Sequence, residues 1–283
     1  MALKPQLDRA KDCWSLLPRD DDQPERSVRA RYLPQEMMEP REAYAGRLMR
    51  SSYPATYRDS IRSFAGLLSR FQLVDPPTSL EAAQNDIDMR GSSLRRFLGE
   101  VDQLVLRDGA ACVMVEMPPQ DPNVKSRIEE IRSGRRPYFV LFERQQVINW
   151  RSHLEGGREV VDLVVVKMEE EMPDGEFGSK TEEVFMVMVP GAYRKVILRV
   201  AKNGTFSEEV IEEGTTSLSE IPMVWIGATS NSIGQGDVIM DSLAQLSVEH
   251  MQLRSDLAEL IHKAALPVGV RIGDSLMPDG SPK

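Results

Sequence analysis

The stretch Asp237 to Leu266, DVIMDSLAQLSVEHMQLRSDLAELIHKAAL, is the longest run of uninterrupted helical chemistry in the chain, and it constrains the fold most. Gly234 and Gly236 loosen the backbone ahead of it, and Asp237 is placed to cap the first turn with its carboxylate. Pro267 stops the helix at or before Leu266. Ile239, Leu243, Leu246, His250, Leu253, Leu257, Leu260 and Ala264 step alternately by four and three, a heptad seam with one polar interruption at His250. At roughly 1.5 Å per residue the rod is about 40 Å long. Two readings follow: a core helix of its own domain, or a rod packed against its copy in a neighbouring subunit. Either way Leu243, Leu246, Leu253, Leu257 and Leu260 are expected to pack inward or against a neighbour, with His250, on the seam, either hydrogen-bonded to a partner chain or, the favoured reading, satisfied within its own subunit. Glu249, Arg254, Asp256, Glu259, His262 and Lys263 are expected to be the exposed set.

The chain has 283 residues, 41% of them apolar and 28% charged, which suits a globular protein with ample core material. Its 44 acidic and 35 basic residues give a net charge of −9. A tight nucleic-acid binder concentrates basic charge, and the sequence shows no strong basic cluster, so any contact with DNA is expected to be weak. Cys13 and Cys112 form no CxxC and read as small buried hydrophobes. The N-terminus carries no apolar signal core, and no apolar run approaches the roughly 20 residues of a membrane span. These features point to a cytosolic, reducing compartment.

Residues 1–30 are polar and charge-dense and are expected to be a flexible arm. Glu42 to Phe71 reads as two helices separated near Pro54, the first with Tyr44, Leu48 and Ser51 on one face and the second lined by Tyr57, Ile61, Phe64, Leu67, Leu68 and Phe71. Ser92 or Ser93 caps a further helix with Leu94, Phe97, Leu98, Val101, Leu104 and Val105 on one face, ended by Gly109. Ala110 to Met117 is a buried strand, and Val124 to Ile131 reads as a short helix. From Pro137 the period changes to two, and strands follow in succession, with Asp174-Gly175 and Asn203-Gly204 as hairpin dipeptides. Ile221 to Ile226 is another strand, and Val268 to Ile272, beyond the long helix, one more. The organisation expected is α+β. An arm over 1–30 is followed by an α+β body over 31–227, then by the long helix and a strand over 228–283.

Chemistry is hard to find. The three histidines, His153, His250 and His262, have no acidic partner at metal-ligand spacing, and there is no GxSxG elbow. Gly234-Gln235-Gly236 resembles a piece of a phosphate loop but lacks the third glycine and the Lys-Ser/Thr, so a flexible hinge is the simpler reading. No metal or cofactor is expected, and an enzyme is the less favoured class. A phosphate-ester hydrolase using Asp237 and the Gly234–Gly236 turn remains an alternative.

The order of short pieces resembles the portal proteins of tailed bacteriophages, most closely a portal-like family long described as a domain of unknown function. The pieces are Tyr32-Leu33-Pro34, Glu42-x-Tyr44 with Arg47-Leu48, Tyr57-Arg58 leading into Ile61 to Phe71, and Pro76-Pro77. Then come Ile87-Asp88, Gly91-x-Ser93-Leu94, Gly109-Ala110, Arg136-Pro137-Tyr138, Ile148-Asn149-Trp150-Arg151, Ile221-Pro222 and Glu249-His250. The likeness runs from about Arg31 to Gly273 and rests on shared order, since none of the pieces is specific alone. It implies a phage portal-like fold: a helical N-terminal part, a central mainly antiparallel β region, and a long C-terminal helix leading into stem or crown elements beyond this chain. It also implies a non-enzymatic ring, usually a dodecamer, at one capsid vertex. The partners implied are the major capsid protein, a neck or tail adaptor, the terminase during packaging, and double-stranded DNA passing weakly through the channel. Leu243 to Leu260 would then form the subunit-packing seam, and Glu249, Arg254, Asp256, Glu259, His262 and Lys263 would be exposed or channel-facing. A neck or tail adaptor, or a minor capsid protein, is the alternative within the structural class.

Overall fold

The structure, a computed structural model, describes residues 3–68, 70–118, 134–175, 177–200 and 206–264. Six helices come first: α1 (Lys4–Trp14), α2 (Val28–Tyr32), α3 (Arg41–Arg50), α4 (Thr56–Leu68), α5 (Thr78–Ala83) and α6 (Leu94–Asp108). Strands β1 (Ala110–Glu116), β2 (Tyr138–Glu143), β3 (Val147–Glu155) and β4 (Arg158–Asp174) follow. They are succeeded by β5 (Gly178–Val189), β6 (Ala192–Val200), β7 (Phe206–Thr215) and β8 (Met223–Gly227), and then by the long helix α7 (Asp241–Ala264).

The architecture is mixed α and β, with two antiparallel sheets. One has the order β2-β1-β8, and the other is a meander, β3-β4-β5-β6-β7. In the first, Cys112 of β1 lies opposite Phe142 of β2 and Trp225 of β8. The meander turns at Gly156-Gly157, Asp174-Gly175 and Pro190-Gly191, whose glycines all have positive φ. Asn203-Gly204, the Val124 to Ile131 helix and the Val268 to Ile272 strand lie outside the described residues.

Helix α6 forms as its sequence directs. The Ser93 hydroxyl accepts from the Arg96 amide, and Gly109 closes the helix in the left-handed conformation at φ 78°. Asp88 Oδ1 accepts from the Arg90 and Ser92 amides just before, shaping the turn into the helix. Its apolar face, with Leu94, Phe97 and Val101, shares a core with Ala111, Ile87 and Ala83.

The expected flexible arm is instead part of the main core. Ala10, Cys13 and Leu17 are fully buried, in one cluster with Leu48, Tyr57, Ile61 and Met251. The apolar stripe Leu7, Ala10, Cys13, Trp14 and Leu17 suffices to dock α1, and the charges of residues 19–31 obscure it in composition. One of those charges is itself buried: Arg29 donates to the Leu17 carbonyl at 3.1 Å and the Ser51 carbonyl at 2.6 Å. The same cluster contains Val238, Ala244 and Val248, so α7 shares its core with the N-terminal helices. The expected boundary at 227/228 is therefore not a packing boundary.

The long helix starts at Asp241, four residues later than expected. Asp237 does not cap it, because the Asp237 amide is held by Thr229 Oγ1 at 3.2 Å while its carbonyl faces Gly109. The preceding glycines are packed rather than hinge-like. A Cβ on Gly234 would meet the Trp150 ring, and one on Gly236 would meet the Gly109 carbonyl. Arg144, buried, donates to the carbonyls of Asp108 (3.1 Å), Gly236 (2.5 Å) and Gly234 (3.1 Å) and lies over the Trp225 ring. Two of the backbone amides a phosphate would need are committed to the fold as well: Gln235 donates to the Ser232 carbonyl at 3.0 Å and Asp237 to Thr229 Oγ1 at 3.2 Å.

Gly109 gives the sharpest test of this junction. A Cβ there would meet the Asp237 carbonyl, whereas one on Gly91, at φ 87°, would meet nothing within 4 Å. Both Gly→Ala changes incur left-handed backbone strain of roughly 1–3 kcal/mol. Gly109→Ala should lose clearly more stability than Gly91→Ala in equilibrium denaturation, because it also forces α6 away from the segment before α7. Equal losses would contradict the close packing.

Candidate assembly interface

Helix α7 has two apolar faces. The inner one is Ala244, Ser247, Val248, Met251 and Ser255, all buried. Small residues dominate it, so the α1 and α7 backbones approach closely; Cys13 Sγ lies 3.8 Å from the Ala244 carbonyl. Ser247 Oγ, buried by this approach, donates to the Leu243 carbonyl at 2.8 Å. Leu243 and Met240 are partly buried against the same cluster.

Polar clamps fix the helix along its length. Arg9 binds Asp241 through both carboxylate oxygens at 2.7–2.9 Å, placing a carboxylate at the helix N-terminus where the dipole favours it. Gln252 Nε2 donates to the Tyr32 carbonyl at 2.8 Å. Further along, Arg50 pairs with Glu259 at 2.7 Å, and Lys263 reaches the same carboxylate at 3.5 Å from one turn on. These two cations outweigh the effect of burial and lower the Glu259 pKa.

The outer face is the seam read from the sequence, and here the structure corrects the expectation of inward packing. Leu246, Leu253, Leu257 and Leu260 are 60, 68, 58 and 65% exposed, and Ile239 and Ile261 are exposed beside them. His250 is exposed too, and among the described residues its side chain has no hydrogen-bond partner within the subunit. The physical reason is steric. The body contacts α7 through the face that brings backbones closest, and that is the serine and alanine face, not the leucine face. Of the expected exposed set, Glu249, Arg254, Asp256, His262 and Lys263 are exposed, while Glu259 is half-buried in the Arg50 clamp. The sequence did carry a signal for the inner face: small and apolar residues at 244, 247, 248, 251 and 255, spaced i, i+3, i+4, i+7 and i+11.

A second apolar patch lies on α4. Its inner residues Tyr57, Ile61 and Ala65 are buried, but Phe64, Leu67 and Leu68 are 49, 58 and 60% exposed. The apolar face read from the sequence is thus split, because the body meets α4 along the Tyr57–Ile61–Ala65 line and Phe64, Leu67 and Leu68 lie beyond it.

The residues behind the sequence resemblance support one another in space. The Tyr44 hydroxyl donates to the Leu33 carbonyl at 2.9 Å, and Arg47 donates to the Pro34 carbonyl and to Glu39, each at 2.8 Å. Arg136 binds the Asp86 carbonyl and carboxylate, and the Phe139 amide donates to the Ile87 carbonyl at 2.9 Å. Compared with known proteins, the chain matches no protein-family model and no curated protein. Among the described residues no cluster of three or more His, Cys, Asp or Glu side chains is arranged to hold a metal ion, and no helix is long and apolar enough to cross a membrane.

The two faces of α7 should respond oppositely to truncation. Met251→Ala, at a fully buried site, should cost about 2–5 kcal/mol of unfolding free energy. Leu253→Ala should stay within about 0.5 kcal/mol when measured on dissociated protein. Chemical denaturation at low protein concentration checks both; a large loss at Leu253 would place that side chain in the subunit's own core.

Proposed function

We propose that this chain is part of a phage portal, a non-enzymatic ring at one capsid vertex through which the genome is packaged and ejected and to which the tail attaches. The observation that carries the reading is the ridge of Leu246, Leu253, Leu257 and Leu260, exposed at heptad spacing on a helix of 24 residues. A rod clamped to its own body on one face and apolar on the other suits side-by-side packing in an assembly. A ring needs heterologous contacts, in which each subunit offers different surfaces to its two neighbours. The ridge on α7 and the Phe64–Leu67–Leu68 patch on α4 are two such apolar surfaces. The order of sequence pieces from Arg31 to Gly273 supports the portal reading over other ring-forming proteins. The acidic balance of −9 suits a channel that lets DNA slide without sticking. On this reading the partners are copies of the chain, the major capsid protein, a neck or tail adaptor, the terminase and duplex DNA. The place of action is the virion, after assembly in the host cytoplasm.

These leucines are already about a third buried, so covering the rest of each is worth roughly 1–2 kcal/mol, and the ridge should dominate association. The full-length protein should sediment and scatter light as a ring of about twelve copies, visible by electron microscopy. Leu253→Asp combined with Leu257→Asp should leave the fold intact, because both positions are exposed in the subunit, yet yield monomers. A parent protein that stays monomeric at micromolar concentration, or a double variant that assembles and packages DNA normally, would sink the reading.

A further inference from the structure

The sequence shows no strong basic cluster, but the fold builds one. Helices α4 and α6 pack side by side, and between them runs an open cleft of about 470 Å³ whose lining includes Arg62, Arg95 and Arg96. Its floor includes Ala65, Gly66 and Gly99, and a Cβ added at Gly66 would meet nothing within 4 Å. A ligand can therefore approach the helix backbone closely. The three guanidiniums keep most of their donors unclaimed. Arg62 lies over the Trp14 ring, its Cζ 5.5 Å from the centroid, and its N–H groups have no hydrogen-bond partner among the described residues. Arg96 spends only Nε, on Glu100 at 3.2 Å. Arg95 is exposed and has no partner among the described residues. Glu100, also in the lining, offsets one of the three charges. The N-terminus of α6, capped by Ser93, adds the positive end of a helix of 15 residues to the same cleft.

We infer that this cleft is a binding site for the phosphodiester backbone of a nucleic acid. Guanidinium forks match phosphate oxygens in shape as well as in charge. The cleft is open to solvent and the Arg96 side chain is 71% exposed, which suits an extended backbone rather than one enclosed anion. Composition alone would argue against such a site in a chain of net charge −9. Local geometry decides instead, because the screening length at physiological salt is only about 8 Å. The inference takes from the portal reading only the presence of DNA, and a single subunit suffices to show it.

The test is fluorescence anisotropy of a labelled DNA duplex titrated with the full chain at several salt concentrations, with the oligomeric state of each sample read in parallel by light scattering. The parent should bind, and its log K should fall linearly with log salt. Replacing Arg62, Arg95 and Arg96 together by Gln should flatten that slope by about 2–3, near 0.9 per lost phosphate contact. Arg95→Gln alone, at an exposed residue whose loss cannot unfold the chain, should flatten it by about 0.9. Arg158→Gln, at an exposed arginine paired with Glu220 outside the cleft, should leave it unchanged. Absence of duplex binding by the parent at low salt, or an unaltered slope in the triple variant, would overturn the site. Displacement of the duplex by millimolar inorganic phosphate at constant ionic strength would overturn the assignment to a polymer backbone. A parent that binds DNA through the cleft but never forms rings would keep this site and remove the portal reading; rings whose DNA slope ignores the three arginines would do the reverse.

Discussion

The path of the chain into α7 depends on one buried guanidinium. Arg144 satisfies the carbonyls of Asp108, Gly234 and Gly236, three acceptors from two distant segments, of which Asp108 and Gly236 are buried and would be costly to leave without a donor. Burial presses its pKa down, while the nearby carboxylates of Asp108 and Asp237 pull it back up. Its contacts fix where α6 ends and where the segment before α7 crosses, so that Gly109 and Gly236 pass backbone to backbone. One residue earlier, Glu143 pairs with Arg107, whose guanidinium also grips Asp108. Burial by itself would raise the Glu143 pKa, but Arg107 and Lys11 outweigh it and hold it low. The β2–β3 corner, the α6–β1 corner and the launch of α7 are thereby one polar knot.

From that knot α7 can only run back across the N-terminal helices. The crossing is close because Ala244, Ser247 and Ser255 face α1 and its neighbours. Close approach on the small-residue side leaves the leucines pointing away, and this is the physical origin of the exposed ridge. A helix stabilised by a modest inner face, with Arg9 and Arg50 clamping its two ends, does not need its leucines for its own fold. They are free for a neighbour.

Much of the fold was legible in the sequence, and the failures share a cause. Ser93 and Gly109 mark the ends of α6 because caps are local chemistry, and the change of period after Pro137 marks the meander for the same reason. The α1 helix was obscured because its stripe is short and its neighbours carry charge, which composition averages together. Heptad spacing located the ridge but not its direction, since periodicity relates residues within one helix and says nothing about which face meets the body. The arginine cleft was invisible because Arg62 and Arg95 are 33 positions apart in sequence and meet only when α4 and α6 pack.

The central claim is that the outer ridge of α7 is covered by a neighbouring subunit, and thiol accessibility tests it most directly. Cys13 and Cys112 are buried, and burial pushes their pKa values up to about 11 and about 12, so the native thiols should be nearly silent toward a maleimide. In a Leu253→Cys variant the new thiol should react fast in dilute, dissociated protein and at least tenfold more slowly once the protein assembles. A Gln245→Cys thiol, exposed and about 100° around the helix from Leu246, should react equally fast in both states. Equal reactivity at position 253 in dissociated and assembled protein would show the ridge uncovered in the assembly and contradict the account.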